Sequence, residues 1–486
     1  MFSGIKSILL SKSANTLSVY QILSKSGLQS MYQRFKSPYI GIWLFWRPAL
    51  IINSPEIAQR VLIKDFDVFR NRLLGSGSSK VDPIAGLNLF MVNEPTWSKM
   101  RRPLTSLFTS AKIKTFHNLY NTKTKDLVRR IAQSLDENKP NELRNMFSDF
   151  TTDIIGIAAF GVESNATITG DGPLRSITKD FMKFSALRGF AFISVMSFLF
   201  SLFIKFYLIM SHVDLQMLYT AAVLNENFSV VYEILVFLNT VSSLTFVNVE
   251  CYAISSQNHL YYLPTSYAIL VMDEDLFIAQ AVIMLQGGFD TTSAAMSFFT
   301  YELAHCSEVK LYKELTKAKE DLGEKELDAS VLSELVYFNC VIKETLKKYT
   351  SMGWLDRICD RDYRIDDNLT ISKGTTVYVN SMGMHGDPEI YYDPDNFHPE
   401  RFLPENWDSK KPFMPFGEGP RSCIGRRFAY RTMWYGLSKI LLMYELKPIP
   451  GSKRPNDVKA DSRSLFLVPG EDIFVKFVPR ERINVE

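Results

Sequence analysis

Cysteine is scarce in this chain. The 486 residues contain five cysteines, an odd number, and no two of them stand in a CxxC spacing. A chain this long has no need of a disulfide framework, and a zinc site lacks its usual ligand spacing. Four of the five are therefore expected to be apolar fillers, so the question is whether one lies in a special context. They are Cys251, Cys306, Cys340, Cys359 and Cys423.

Long apolar runs and a strong excess of one charge are also missing. Residues 1–36 contain no apolar run that could form a signal peptide or a membrane anchor. The formal net charge is +3, and no basic run is dense enough to indicate nucleic acid as a partner. A local basic patch could still dock an acidic protein.

The middle of the chain is compositionally unusual. Sixteen consecutive uncharged residues lie between Arg188 and Lys205, a length that is borderline for a transmembrane helix. A buried helix pair, or a pair lying on a membrane surface, fits this run equally well. Residues 206–309 contain no Lys or Arg, although the chain has 55. At ordinary density about a dozen would be expected over such a span.

Helical periodicity dominates the rest, so the predicted fold class is mainly α with a smaller β portion. Hairpins are predicted over residues 39–53, with a break at residues 47–48, and over residues 465–478, and a strand over residues 375–380. Ser54 and Pro55 are expected to open a helix. Helices are predicted over residues 275–307, interrupted by Gly287-Gly288, over residues 333–348 and over residues 424–444.

One cysteine does lie in a special context. Residues 415–425 read PFGEGPRSCIG, which places Cys423 in a Gly- and Pro-rich loop directly before a predicted helix. The N-terminus of a helix and nearby arginines such as Arg421 favour a thiolate. Gly417, Gly419 and Gly425 allow the backbone to lie close to a flat ligand.

This loop resembles the haem-binding signature of cytochromes P450, F-x-x-G-x-R-x-C-x-G. The resemblance implies that the cofactor is haem b and that the Cys423 thiolate is the axial ligand of its iron. It also implies that Phe416 packs against the loop, that Arg421 pairs with a haem propionate, and that Gly425 belongs to the cofactor site. A thiolate ligand pushes electron density onto the iron and favours O–O cleavage.

Two further motifs follow in the order that the family has. Trp97 and Arg101 match W-x-x-x-R, and at i and i+4 they share one face of a helix, from which both can reach a carboxylate. Residues 287–292 read GGFDTT and resemble the oxygen-activating stretch. By that resemblance Asp290 and Thr291 form an acid–alcohol pair that delivers protons.

A fourth motif departs from the family pattern. Glu344 and Arg401 match the E-x-x-R helix and the P-E-R-F element, but Lys347 stands where the family has Arg. An ammonium cannot present the planar fork of a guanidinium, and a half-satisfied buried network is costly. The sequence-based hypothesis is that Lys347 weakens haem retention or folding.

The resemblance covers residues 1–200 and 275–486 and implies a single cytochrome P450 domain over residues 1–486, most like insect detoxification members of the animal microsomal branch. The chain is expected to begin after the usual membrane anchor. Residues 206–272 do not resemble the family, and the hypothesis is that they are translated non-coding sequence or an unusual exon.

The implied function is a monooxygenase that inserts one oxygen atom from O₂ into a lipophilic small molecule, as in xenobiotic metabolism. The implied partners are NADPH-cytochrome P450 reductase, cytochrome b5 and the membrane surface, on the cytosolic face of the endoplasmic reticulum. A basic face that steers the reductase, or merely a solvated surface, would comprise Lys410, Lys411, Arg426 and Arg427. Two alternatives stay open: a haem-thiolate isomerase or dehydratase, and a catalytically impaired haem-binding relic.

Overall fold

The computed structural model describes residues 7–8, 25–44, 47–73, 85–182, 274–461, 464 and 466–480. The apolar run at residues 189–204 and the unusual segment at residues 206–272 lie outside these residues. Within the ranges described, none of the helices combines the length and apolarity that crossing a membrane requires. In chain order, α1 to α14 are Lys25–Phe35, Pro55–Gln59, Thr96–Leu107, Ser110–Lys114, His117–Asp136, Leu143–Phe160, Ala166–Thr169, Pro173–Met182, Glu274–His305, Val309–Leu322, Ala329–Glu334, Val336–Lys348, Ser381–His385 and Arg426–Met443.

The strands are fewer and shorter than the helices, and the fold class is confirmed as mainly α with a smaller β portion. Strands β1, β2, β3, β7 and β4 form one sheet in that order, and β5–β6 and β8–β9 form two small sheets. In chain order, β1 to β9 are Ser7–Ile8, Tyr39–Leu44, Arg47–Ile52, Leu355–Ile358, Tyr363–Arg364, Thr370–Ile371, Thr376–Val379, Tyr444–Pro448 and Val475–Pro479.

The first predicted hairpin is present, and its second strand begins earlier than expected. Strand β2 pairs antiparallel with β3, and Trp43 stands opposite Pro48. The predicted break at residues 47–48 is wrong because both residues belong to β3. Strand β7 pairs with β3 only from Ala49 onward, so the missing N–H of Pro48 does not interrupt that ladder. Ser54 caps α2 as predicted, by accepting a hydrogen bond from Ile57 N at 3.2 Å.

The predicted hairpin at residues 465–478 is wrong. Strand β9 pairs with β8, which precedes it by about thirty residues, and Leu446 stands opposite Phe477. Both side chains are buried in the main core together with Tyr444 and Val475. Alternating apolar residues identify a strand but not its partner, which explains the error.

Helix α9 is continuous, although Gly287 and Gly288 were expected to interrupt it. At Gly288 a Cβ atom would lie 2.9 Å from Cγ1 of Ile155 in α6. The glycine therefore allows two long helices of the core to approach closely rather than breaking one of them. Phe289 and Met296 of α9 are fully buried in the core that it shares with α6.

Two other helix predictions hold with changed bounds. The helix predicted over residues 333–348 is divided at Leu335, whose extended backbone (φ −69°, ψ 104°) ends α11 before α12 begins. The helix predicted over residues 424–444 is α14, and Phe428, Leu437 and Leu441 are buried as expected.

Candidate functional site

The loop that carries Cys423 is held by its own backbone. Cys423 N donates to the carbonyl oxygen of Phe416 at 2.8 Å, and Ser422 N donates to that of Gly419 at 3.0 Å. Gly417 and Gly419 have φ values of +70° and +73°, in the left-handed region that favours glycine. At Gly419 a Cβ atom would also overlap the carbonyl oxygen of Leu62, so this loop lies directly against the π-helical turn Arg60–Lys64 that follows α2.

Cys423 lies two residues before Gly425, the N-cap of α14. The backbone N–H groups of Gly425 and Arg426 and the charges of Arg101 and Arg426 lower the pKa of the thiol, as the sequence predicted. Desolvation by the surrounding protein opposes these effects and raises that pKa, although the Cys423 side chain is exposed. A bound metal cation would reverse this balance because it favours the thiolate directly.

The Trp97-x-x-x-Arg101 motif on α3 contacts this loop. Arg101 donates to the backbone oxygen of Ser422 at 2.8 Å. Trp97 is buried, and the guanidinium of Arg421 lies 4.4 Å from the centre of its indole ring. The structure therefore brings together Trp97, Arg101, Arg421 and the cysteine loop, as the sequence predicted.

Two more arginines, which the sequence analysis missed, complete a buried cluster. Arg72 and Arg357 are 5% and 1% exposed, as buried as Arg421 at 5%. Arg72 donates to the backbone oxygen of Arg421 at 3.3 Å. Burial lowers the pKa of Arg357 to about 9 and that of Arg421 to about 8, which expresses the cost of burying these charges. We call Arg72, Arg357 and Arg421 the arginine cluster.

The arginine cluster has more charge and more donors than the described residues satisfy. Its nearest carboxylate is Asp356, whose Oδ1 lies 3.8 Å from a guanidinium nitrogen of Arg72. Buried guanidinium nitrogens without a hydrogen-bond partner belong to Arg72 (Nε, Nη1), Arg357 (Nε) and Arg421 (Nη1, Nη2). Unpartnered buried donors are costly, so they indicate an anionic ligand with several acceptor oxygens. Haem b has two propionate carboxylates, which fit this donor set, and the thiol of Cys423 lies beside the cluster as a ligand for the iron.

Asp290 and Thr291 are neighbours on α9, and their side chains have different hydrogen-bond partners. The Asp290 carboxylate is 3.3 Å from a guanidinium nitrogen of Arg144 in α6. Burial raises the pKa of Asp290, and the charge of Arg144 opposes this effect. The Thr291 hydroxyl donates to the carbonyl oxygen of Gly287 at 2.8 Å. The acid and the alcohol are thus adjacent in the chain, with the alcohol on an accessible side of the helix.

The Glu344 network is present with lysine in it. Glu344 Oε2 lies 2.9 Å from Arg401 Nε, and Glu344 Oε1 lies 3.2 Å from Lys347 Nζ. Lys347 Nζ also donates to the carbonyl oxygen of Pro394 at 2.9 Å. Burial lowers the pKa of Lys347 to about 8, and the charge of Glu344 opposes this shift. The ammonium therefore has two oxygen partners, which weakens the hypothesis that lysine itself is left unsatisfied, whereas Glu344 Oε2 and Arg401 Nε form no hydrogen bond among the described residues despite their short distance.

His385 connects this network with the cysteine loop. Its Nδ1 lies 2.8 Å from the Thr350 hydroxyl, and its Nε2 accepts a hydrogen bond from Met414 N at 3.0 Å. Met414 precedes Phe416 by two residues. Burial lowers the pKa of His385 to about 3, and the charge of Lys347 adds to this shift, so the imidazole is neutral at ordinary pH.

The four basic residues predicted to form a docking face differ in exposure. Lys410, Arg426 and Arg427 are exposed and Lys411 is half-buried. The guanidinium of Arg426 lies 5.7 Å from the ring centre of Phe416, beneath the cysteine loop. The exposure is compatible with docking of a partner and equally with a solvated surface.

A sequence signal for the missed arginines did exist. Strand β4 reads LDRI, and its first three residues are buried. An Asp-Arg pair within a buried strand of four residues requires ionic or hydrogen-bonding partners. The sequence did not show which residues provide these partners, because Arg72 and Arg421 are remote from β4 in the chain.

Comparisons with known proteins agree with this site. The family model described as Cytochrome P450 matches residues 15–477. Cytochrome P450 6k1 of Blattella germanica is 29% identical over 479 residues, which cover 92% of this chain and 87% of that protein. Cytochrome P450 3A13 of Mus musculus is 30% identical over 451 residues, covering 91% and 84%. Probable cytochrome P450 6a18 of Drosophila melanogaster is 29% identical over 459 residues, covering 90% and 85%.

Proposed function

This chain belongs to the cytochrome P450 family, whose members are haem-thiolate monooxygenases, and we propose that Cys423 is the axial ligand of its haem b. The single observation that carries this proposal is the cysteine loop, in which Cys423 lies beside α14 with the arginine cluster next to it. When bound, the haem supplies an iron centre at which O₂ is activated, so that one oxygen atom can enter a substrate.

The residues around the loop would hold the cofactor. Arg421 and Arg101 would bind the propionates through charged donors, and the Trp97 ring keeps the Arg421 guanidinium in place from below. Phe416 would pack against the sulfur side of the loop, where its carbonyl oxygen already accepts from Cys423 N. Gly425 leaves space at the sulfur, because a Cβ atom there would lie 3.9 Å from Cys423 Sγ.

Asp290 and Thr291 would deliver protons to the reacting oxygen. The Thr291 hydroxyl is accessible, and its bond to Gly287 O leaves its own oxygen able to accept a proton from a neighbour. Burial raises the pKa of Asp290 above its usual value, which favours uptake of a proton by this carboxylate. Arg144 would hold the carboxylate between proton transfers.

The electrons would come from NADPH through cytochrome P450 reductase, with cytochrome b5 as a second donor. Exposed Lys410, Arg426 and Arg427, together with Lys411, would steer these acidic partners towards the cysteine loop. The substrate would be a lipophilic small molecule, and the protein would act at the cytosolic face of the endoplasmic reticulum membrane, as for microsomal members. The full chain 1–486 would form one domain.

The test is the absorption spectrum of the reduced, CO-bound protein. A thiolate-ligated haem gives a strongly red-shifted Soret band, which we expect for the wild type and for Cys306→Ser, a matched change at an exposed cysteine. Cys423→Ser should lose the red-shifted band. A folded wild type that binds no haem would refute the proposal.

The competing reading, a haem-thiolate isomerase or dehydratase, is not favoured by the comparisons. Turnover separates it from the monooxygenase. With reductase and NADPH, or with peroxide, the monooxygenase should oxidise a panel of lipophilic substrates and incorporate ¹⁸O from labelled O₂ in the first case. Product formation that needs neither O₂ nor peroxide would support the isomerase or dehydratase.

A further inference from the structure

Asp356 is a fully buried carboxylate at the arginine cluster. Its Oδ2 accepts a hydrogen bond from Leu73 N at 2.8 Å. Its Oδ1 has no hydrogen-bond partner among the described residues, and Arg72 lies 3.8 Å from it. A buried carboxylate with an unused oxygen is costly unless its charge is needed.

The charge of Asp356 reaches every member of the arginine cluster. It forms the ion pair with Arg72 and stabilises the charged form of Arg357, its neighbour on β4, whose guanidinium also donates to the Asp356 backbone oxygen at 2.7 Å. It also stabilises the charged form of Arg421. Glu94 is a second carboxylate that acts on Arg421, and it is only half-buried. Among the described residues Asp356 is therefore the carboxylate that lies inside the cluster.

A charge count connects Asp356 with the cofactor. Arg101 and the three arginines of the cluster, together with Asp356, have a formal net charge of roughly +3, which two haem propionates would reduce to +1. Without Asp356 this group would have a charge of roughly +4 before haem binds and +2 afterwards.

The free-energy cost of removing the Asp356 charge differs between the protein without haem and the protein with haem. Electrostatic self-energy grows roughly with the square of the net charge, so removal of Asp356 raises it from about 9 to 16 relative units without haem, but only from about 1 to 4 with haem. The carboxylate thus matters chiefly to the protein before the cofactor is loaded.

We propose that Asp356 is the internal counter-ion of the arginine cluster, a positioning residue that stabilises the folded apoprotein until the haem propionates arrive. This inference rests on the proposed binding of haem at Cys423. The inference predicts the direction in which haem affinity changes. Loss of the Asp356 charge should tighten haem binding, whereas loss of a merely structural group should weaken it. By linkage, whatever destabilises the apoprotein more than the holoprotein favours the bound state.

The test compares Asp356→Asn with the wild type, each prepared with haem and stripped of it. Asparagine keeps an acceptor for Leu73 N and removes the charge. We expect the thermal unfolding midpoint of the apoprotein to fall by about 3 °C and that of the holoprotein by clearly less. Haem should bind the variant apoprotein about tenfold more tightly, and the midpoint potential of the haem should shift to a more positive value. Asp360→Asn, at an exposed residue of the same segment, should leave all three quantities unchanged.

A double variant distinguishes the loss of charge from a general failure of Asp356→Asn to fold. Asp356→Asn combined with Arg357→Gln restores the charge of the cluster, so the apoprotein should regain most of the lost stability. Equal destabilisation of apoprotein and holoprotein, weaker haem binding by Asp356→Asn, or no rescue by the double variant would overturn the inference. A wild type that binds no haem would instead overturn the proposed function, so the two failures are distinguishable.

Discussion

Two glycines of the cysteine loop allow a matched test of how this loop is held. Gly417 and Gly419 have nearly the same φ, +70° and +73°, so alanine should incur the same backbone strain at either position. That strain is about 1–2 kcal/mol, and it is partly offset because alanine restricts the unfolded chain. The surroundings of the two residues differ. At Gly417 the nearest atom to a new Cβ is Leu355 Cδ2 at 3.5 Å, an ordinary contact, whereas at Gly419 it overlaps the carbonyl oxygen of Leu62.

Gly417→Ala should therefore lose about 1 kcal/mol of unfolding free energy, and Gly419→Ala should lose a further 1–3 kcal/mol or so because a backbone oxygen cannot rotate away. The assay is urea denaturation of both variants, with the haem content of each purified protein as a second measurement. Gly419→Ala should also retain less haem, since the loop must move away from the π-helical turn Arg60–Lys64. Equal losses in the two variants would refute the reasoning, because they would leave backbone strain as the only effect.

Three more predictions concern single side chains. Folded His385 stays neutral to about pH 3 while an unfolded imidazole titrates near pH 6.5, so unfolding takes up a proton between these values. The contribution of His385 to the free energy of unfolding is fully present above pH 6.5 and should fall by about 1.4 kcal/mol per pH unit below it. Urea titrations at several pH values should show that His385→Gln loses this slope and that His398→Gln keeps it. Lys347→Arg should hold no more haem than the wild type, because the ammonium already has two oxygen partners; higher haem content would restore the sequence-based hypothesis. Thr291→Ala should load haem normally and yet yield roughly tenfold less product per NADPH oxidised, and unchanged coupling would remove Thr291 from the proton route.

The sequence was most informative where a short motif has local chemical meaning. Cys423 and its glycines could be identified because a glycine-rich loop before a helix limits what the backbone can do, and the positive φ values of Gly417 and Gly419 bear this out. Trp97 and Arg101 could be placed on one helix face from their spacing alone. The structure then shows both of them at the cysteine loop.

The sequence was least informative about pairing over long distances. The alternation at residues 465–478 identified a strand and misassigned its partner, since β9 pairs with β8. Gly287 and Gly288 were taken as an interruption of α9, because the sequence cannot show that Ile155 of α6 needs the space.

The pairing of Leu73 N with Asp356 joins two parts of the chain that are 283 residues apart. In the same sheet β3 pairs with β7, so Ala49 stands opposite Thr376. The ribosome adds about 5–20 residues per second, so Leu73 is synthesised tens of seconds before Asp356. The central sheet cannot close until the ribosome has made about three quarters of the protein, and the arginine cluster, which includes Arg421, cannot close until it has made about seven eighths. Haem capture is thus expected to be a late event in biogenesis, which occurs on a nearly finished chain rather than on a nascent one.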